Sequence, residues 1–224
     1  MIVTESINPR ATIPPLENGD KLTRTEFERR YYAMPDHKKA ELIEGIVYMA
    51  SPLRIEQHGE PHAHIIGWLT FYKAFTPNLQ LGDNCTVRLD ADNEPQPDAL
   101  LRIKEEGQST ISEDGYVEGA PELIVEIAAS SVSIDLHQKL NVYRRNQVQE
   151  YLIWRVNDGE LDWFRLQNEQ YIKLEPNADG IIYSQVFPGL CLNQAALLSG
   201  DLAQVLASLQ VGLATPEHQS FVDQ

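Results

Sequence analysis

The chain predicts an α/β domain, a central mixed β-sheet flanked by helices, and three observations carry that expectation. The run Leu123–Ala128 is apolar at every position except Glu126, as expected of a central strand covered on both faces. Residues 61–75 carry Ile65, Leu69 and Tyr72 on one helical stripe, with Pro61 suited to the first turn. After this helix the order is strand (98–103), strand (Leu123–Ala128), helix (to about 146) and strand (Glu150–Arg155). That alternation builds one sheet with helices packed against it.

The elements follow in order. Residues 1–19 hold Pro9, Pro14, Pro15 and Gly19 with no apolar period, so they read as an extended arm. Thr23-Arg-Thr-Glu26 has the capping-box form, and Phe27, Tyr31 and Tyr32 continue at helical spacing. Residues 41–50 suit one strand bent at Gly45, and Pro77 ends the helix begun at Pro61. Thr86-Val-Arg-Leu-Asp90 alternates like an exposed strand, and 98–103 follows as a more buried one. Residues 104–120 are polar and carry three glycines, a long surface excursion. Ser130-Ser131 can cap the helix that ends near Asn146. Runs at 161–166 and 170–174 form a hairpin across Gln167-Asn168-Glu169. After Pro188-Gly189 a short amphipathic helix over 197–213 precedes a polar tail. The expected division is an arm (1–19), the α/β domain (20–195), and a C-terminal helix with its tail (196–224).

At 224 residues the chain can bury roughly 70% of its unfolded surface. No apolar run approaches the roughly 20 residues of a membrane span. Two isolated cysteines, Cys85 and Cys191, and the lack of a signal-like leader fit a cytoplasmic protein. The net charge of −15 argues against a sequence-independent grip on nucleic acid through clustered lysine and arginine, without excluding a nuclease. It leaves room for small basic groups such as Lys38-Lys39 and Arg144-Arg145.

The chemistry lies in the acids. Pro97-Asp98 opens one strand, Glu126 sits inside the next, and Glu44 lies in an earlier strand-like run. A glutamate inside an apolar strand is costly without a cation or a proton. Each close carboxylate pair costs about 4 kcal/mol at an effective dielectric of 20. A divalent ion removes that penalty, and hard oxygen donors favour Mg²⁺ or Mn²⁺. Asp135, Lys139 and Tyr143 share one helix face at a spacing of four, so Lys139 can reach a scissile phosphate while Asp135 holds it. This set suits a metal-dependent phosphodiesterase.

Each residue also has a plainer role open to it. Asp98 can be a turn residue after proline, and Glu126 can pair with a buried arginine. Glu44 can be a solvated strand-edge acid, Lys139 and Asp135 an ordinary helix pair, and Tyr143 core packing. His58, His62 and His64 cluster at a helix start but have no downstream partner for a zinc site.

Four segments resemble the Uma2-like (DUF820) restriction endonuclease family of the PD-(D/E)xK nuclease superfamily. They are Glu-Leu-Ile-Glu-Gly45, Gln-Pro-Asp-Ala-Leu-Leu101, Pro-Glu-Leu-Ile-Val-Glu-Ile-Ala-Ala-Ser-Ser131 and Asp-Leu-His-Gln-Lys-Leu-Asn-Val-Tyr143. The resemblance covers roughly 20–195. It implies a restriction-endonuclease-like core with Asp98 and Glu126 as metal ligands, Glu44 as the acid before the core sheet, and a histidine, taken as His62, beside the cleft. The superfamily's lysine two residues after the second acid is Ala128 here, and Lys139 is its stand-in.

The expectation is a Mg²⁺-dependent endonuclease, with Mn²⁺ as substitute, acting on nucleic acid, DNA in the first place. Cutting two strands calls for two sites, which makes a homodimer an option. Two alternatives stand beside it: an inactive binding or scaffold protein on a nuclease fold, and a metal hydrolase of small phosphate esters. Specificity is expected from loops such as 104–120.

Overall fold

The computed structural model describes residues 13–35, 39–129 and 131–223. Most of the predicted arm (1–12), His37, Lys38, and Ser130 of the predicted helix cap lie outside the described residues.

Thr23 caps helix α1 (Arg24–Ala33), its hydroxyl accepting from the Glu26 N–H at 3.5 Å. The single bent strand expected over 41–50 is instead a hairpin of β1 (Ala40–Ile43) and β2 (Ile46–Met49). Its turn is Glu44-Gly45, with φ of 53° and 75°. Positive φ at both central residues is what a type I′ hairpin requires, and it matches the twist of the strands. A π-helical turn (Ile55–Gly59) then leads into α2 (Glu60–Ala74), with Pro61 in its first turn.

Next come β3 (Leu79–Asp83), β4 (Val87–Arg88), β5 (Ala99–Ile103), β6 (Thr110–Ile111), β7 (Val117–Glu118) and β8 (Leu123–Ala128). A second π-helical turn (Ile134–Lys139) runs into α3 (Leu140–Arg145). The strands β9 (Glu150–Arg155), β10 (Glu160–Gln167), β11 (Gln170–Lys173), β12 (Ile181–Tyr183) and β13 (Cys191–Asn193) follow. The chain closes with α4 (Gln194–Leu198), α5 (Leu202–Leu213) and α6 (Pro216–Val222).

The main sheet is mixed and six-stranded, in the order β11-β10-β9-β8-β5-β3. β8 runs parallel to β9 and antiparallel to β5, and all six of its residues are buried. Side chains alternate across a strand, so β8 serves two cores. Leu123, Val125 and Ile127 pack with Ile65, Trp68, Val205 and Leu209 of α2 and α5. Ile124 and Ala128 pack on the other face with Val142 and Tyr143 of α3 and with Tyr151. Glu126 belongs to this second face, under α3.

The first core is knit by aromatic contacts. Trp68 and Trp163 meet edge to face at 5.7 Å, and the Trp68 N–H donates to the Cys191 carbonyl at 2.9 Å. Fully burying such a side chain is worth about 1.5–3 kcal/mol or more.

Three departures from the sequence expectations have local causes. The strand expected at 86–90 shrinks to β4, whose two residues are buried because it pairs in parallel with β7 in a small side sheet with β6. The excursion at 104–120 therefore carries strands of its own. The end of the predicted polar tail folds as α6, because His218 is buried: its Nδ1 donates to the Leu213 carbonyl and its Nε2 meets the Thr76 hydroxyl, both at 2.9 Å.

Candidate active site

Strand pairing brings the two principal acids together. Ala99 of β5 lies opposite Val125 of β8, and the antiparallel register continued by one residue sets Asp98 against Glu126. Both are buried, 5% and 4% exposed. Asp98 Oδ2 accepts from the Ile127 N–H at 2.7 Å, and Oδ1 accepts from His58 Nε2 at 3.1 Å. Burial works to raise the Asp98 carboxyl, but His58, the Ile127 N–H and Lys39 at 4.0 Å outweigh it and hold it below its ordinary value.

Glu126 is met from above by α3 and the turn before it. Its Oε1 accepts from Lys139 Nζ at 2.9 Å and from the Tyr143 hydroxyl at 2.8 Å. Lys139 Nζ also donates to Glu41 Oε1 at 3.1 Å and lies 3.6 Å from Asp135 Oδ1. Asp135 accepts from the Ser131 hydroxyl at 2.5 Å. Both Asp135 and Lys139 stand on the π-helical turn, where the widened ring re-aims side chains; such turns are frequent at functional sites. Burial, with Asp135, Asp98 and Glu41 nearby, pushes Glu126 up to about 8 against the pull of Lys139. Burial alone would lower Lys139, yet Glu126, Glu41 and Asp135 hold it well above its ordinary value. These three acids favour the ammonium form of Lys139.

Of the residues singled out in the sequence, Asp98, Glu126, Asp135, Lys139 and Tyr143 converge. Two are corrected. Glu44 is a turn residue: its side chain is exposed and lies 3.8 Å from Arg145. Glu41, three positions earlier on β1, is the acid that reaches Lys139. His62 turns its Nε2 to the Asp98 carbonyl at 2.9 Å and to Asp83 at 3.1 Å, whereas His58 is the histidine on the Asp98 carboxylate. A sign of Glu41 was present, because an acid directly before glycine at a hairpin tip is a turn residue and leaves the earlier glutamate for the strand. His58 had no such signal, since its placement depends on the π-helical turn.

Glu41, Asp98, Glu126, Asp135, Lys39, Lys139 and His58 all line one cavity of about 710 Å³. Four carboxylates face two lysines on its floor, an excess of negative charge in a buried place, which calls for a proton or a cation. Among the described residues no set of three or more His, Cys, Asp or Glu side chains is arranged to hold a metal unaided. Asp98 and Glu126 do present adjacent hard oxygen donors. That fits Mg²⁺, which is usually bound by one or two carboxylates and completes its shell with waters and substrate phosphate.

The sequence model of the Uma2 family, described as "Putative restriction endonuclease", matches residues 24–195. The chain belongs to the Uma2 family. Its fold is similar to that in the crystal structure of a putative nuclease belonging to DUF820 from Anabaena variabilis. The two share 16% identity with a TM-score of 0.61, over 80% of this chain and 98% of that one. No curated protein matches the chain. The family match spans every charged residue of the cavity floor, from Lys39 to Lys139. Among the described residues no helix is long and apolar enough to cross a membrane.

Proposed function

We propose that this Uma2 protein is a Mg²⁺-dependent endonuclease that hydrolyses phosphodiester bonds in DNA, with Mn²⁺ able to substitute. The observation that carries the reading is the meeting of Lys139 Nζ with Glu126 Oε1 at 2.9 Å in the cavity that also holds Asp98. Two acids and an ammonium thus line the same cavity despite the displaced lysine.

Asp98 and Glu126 would hold the ion. A bound divalent cation would polarise a phosphoryl oxygen and lower the pKa of a bound water. The chain's own groups supply the rest. His58 and the Ile127 N–H fix both oxygens of Asp98, and Tyr143 fixes Glu126. Lys139 offers positive charge to the oxygens on which charge develops, an electrostatic role of the oxyanion-hole kind. Glu41 and Asp135 hold the ammonium in place.

The test is cleavage of mixed nucleic acids in Mn²⁺ by wild type beside Glu126→Gln, which keeps side-chain size and removes the charge. Cleavage by wild type alone supports the nuclease. Cleavage by both denies Glu126 its role. Cleavage by neither favours the second reading, a binding or scaffold protein, for which the fully partnered Lys139 speaks. A scaffold should gain no thermal stability from Mn²⁺, whereas a metal-binding native state should.

A further inference from the structure

The cavity holds two lysines, and they are not equivalent. Lys139 Nζ donates to Glu126 and Glu41 and lies 3.6 Å from Asp135, and its side chain is only 6% exposed. Its donors point at the protein's own acids, so it can act on a substrate through charge but is not open to bond one.

Lys39 is placed differently. It stands just before β1, its side chain is 31% exposed, and it lines the same cavity. Among the described residues its one hydrogen-bond partner is Asn84, whose Oδ1 accepts from Nζ at 2.8 Å. Asp98 Oδ1 lies 4.0 Å away, an ion-pair neighbour beyond hydrogen-bond reach. An ammonium has three donors. Two N–H groups of Lys39 are left for whatever enters the cavity.

Asn84 holds the ammonium in place. Its backbone takes the left-handed conformation, with φ of 51°, which asparagine tolerates better than most residues. Its N–H donates to the Asp98 carbonyl at 3.2 Å, and its own carbonyl accepts from Gln96 Nε2 at 2.8 Å. The side-chain Nδ2 donates to Asp83 Oδ1 at 2.8 Å, which turns the amide oxygen toward Lys39. One side chain thus moors Lys39 to the backbone of Asp98, the acid assigned to the metal. Fixing a part-exposed lysine costs side-chain entropy, a cost that a merely solubilising lysine avoids by moving freely in water.

Charge decides what it meets. A phosphodiester is an anion, and the floor carries four carboxylates against two lysines. A divalent ion offsets part of that repulsion, and the rest calls for a cation that the anion can touch. Lys139 is enclosed. Arg54 also lines the cavity, but among the described residues no hydrogen bond or ion pair fixes its side chain. Lys39 alone is both open and held beside Asp98.

Resting on the nuclease reading, we propose that Lys39 is a second catalytic lysine, the one that touches the substrate. Its open N–H groups donate to a non-bridging oxygen of the scissile phosphate, while Lys139 holds Glu126 and lends charge from behind. Asn84 is its positioning residue. Lys39 gives up no proton; it stabilises the charge that gathers on the phosphate as water attacks.

The test is calorimetric binding of thymidine bisphosphate in Mg²⁺ to wild type, Lys39→Met, Lys39→Arg and Asn84→Gly, with thermal melts beside it. Lys39→Met should bind at least about tenfold more weakly, the scale of one charge-assisted hydrogen bond. Lys39→Arg should recover most of that loss. Asn84→Gly should weaken binding in wild type yet add little to Lys39→Met. The thermal gain from Mg²⁺ alone should be kept in Lys39→Met, since both acids remain. Cleavage at saturating nucleic acid should slow about a hundredfold in Lys39→Met. No binding by wild type, or equal binding by Lys39→Met, would overturn the proposal. So would loss of the Mg²⁺ gain in both Lys39→Met and Lys39→Gln, since Lys39 would then serve the build of the site. If wild type and Lys39→Met cleave equally, Lys39 fails and the nuclease stands; if nothing is cleaved but binding depends on Lys39, the nuclease fails and the phosphate contact stands.

Discussion

Lys139 and Glu126 face each other at 2.9 Å across two layers of the fold, the lysine on a π-helical turn and the glutamate on the central strand. They lie thirteen positions apart, so the pair exists only because the π-helical turn and α3 fold back over the sheet. Each is nearly without solvent, and each would be a costly buried charge alone.

That mutual dependence predicts strong non-additivity. Lys139→Met leaves Glu126, Glu41 and Asp135 without their cation and should cost about 3–5 kcal/mol, the scale of breaking a buried pair. Glu126→Gln in the same background should restore part of that loss. Urea unfolding of the two single variants and the double variant measures the coupling, and strict additivity would show that the pair is not what holds this site. Metal-supported cleavage by Lys139→Met should fall at least about a hundredfold, the loss typical of removing one charge-stabilising donor.

Glu41 and Glu44 separate in the opposite way. Glu41→Gln removes a partner of Lys139 and should lower cleavage about tenfold or more. Glu44 stands in a left-handed turn away from the cavity, so Glu44→Asn should leave cleavage unchanged. It should also raise stability by about 0.5–1 kcal/mol, because asparagine before glycine favours the type I′ turn. Parallel rate and unfolding measurements decide; a cleavage defect in Glu44→Asn would return Glu44 to the site.

The same contrast shows how far the sequence was legible. Glu126 was readable because a charge inside an apolar strand stands out against its own neighbours, and Asp135, Lys139 and Tyr143 because helical spacing is a local property. The mixed sheet was readable from strand composition. Glu41 is passed over when the hairpin is read as one strand, although Glu44-Gly45 carries the sign of the reversal. His58 was hidden because a π-helical turn shifts the register of a helix face by one residue. β12 and β13 were missed because each has only three residues, and β3 because Gln80, Gly82 and Asp83 break its apolar run.

Glu150 gives a pH dependence independent of the candidate site. It is fully buried at the start of β9, accepting from the Gln185 N–H at 2.6 Å, the Ser184 hydroxyl at 2.9 Å and Trp163 Nε1 at 3.2 Å. Burial, against these three donors, raises its carboxyl from 4.5 to about 7. Between those values the folded chain holds a proton that the unfolded chain has released, so stability falls as pH rises from 4.5 to 7 and then levels. The contribution is about 3 kcal/mol across the window. Wild type should lose more stability than Glu150→Gln between pH 5 and 7.5 in denaturant titrations, and identical slopes would refute the assignment.

Two helical glycines predict opposite signs for the same substitution. A Cβ on Gly212 of α5 would stand 2.2 Å from the Gly189 carbonyl oxygen and 2.9 Å from Cys191 Sγ. The obstacle is backbone, so α5 must move off the turn it packs on, and the about 1–3 kcal/mol of overpacking exceeds the about 1 kcal/mol of helix propensity gained. On Gly67 of α2 a Cβ would meet nothing nearer than Leu202 Cδ2 at 4.0 Å. There the propensity gain is unopposed, and Gly67→Ala should stabilise by about 0.5–1 kcal/mol. Urea midpoints at constant slope give both values. If Gly212→Ala also stabilised, α5 would not lie in backbone contact with residues 189–191, and the packing of the C-terminal helices on α2 would need to be redrawn.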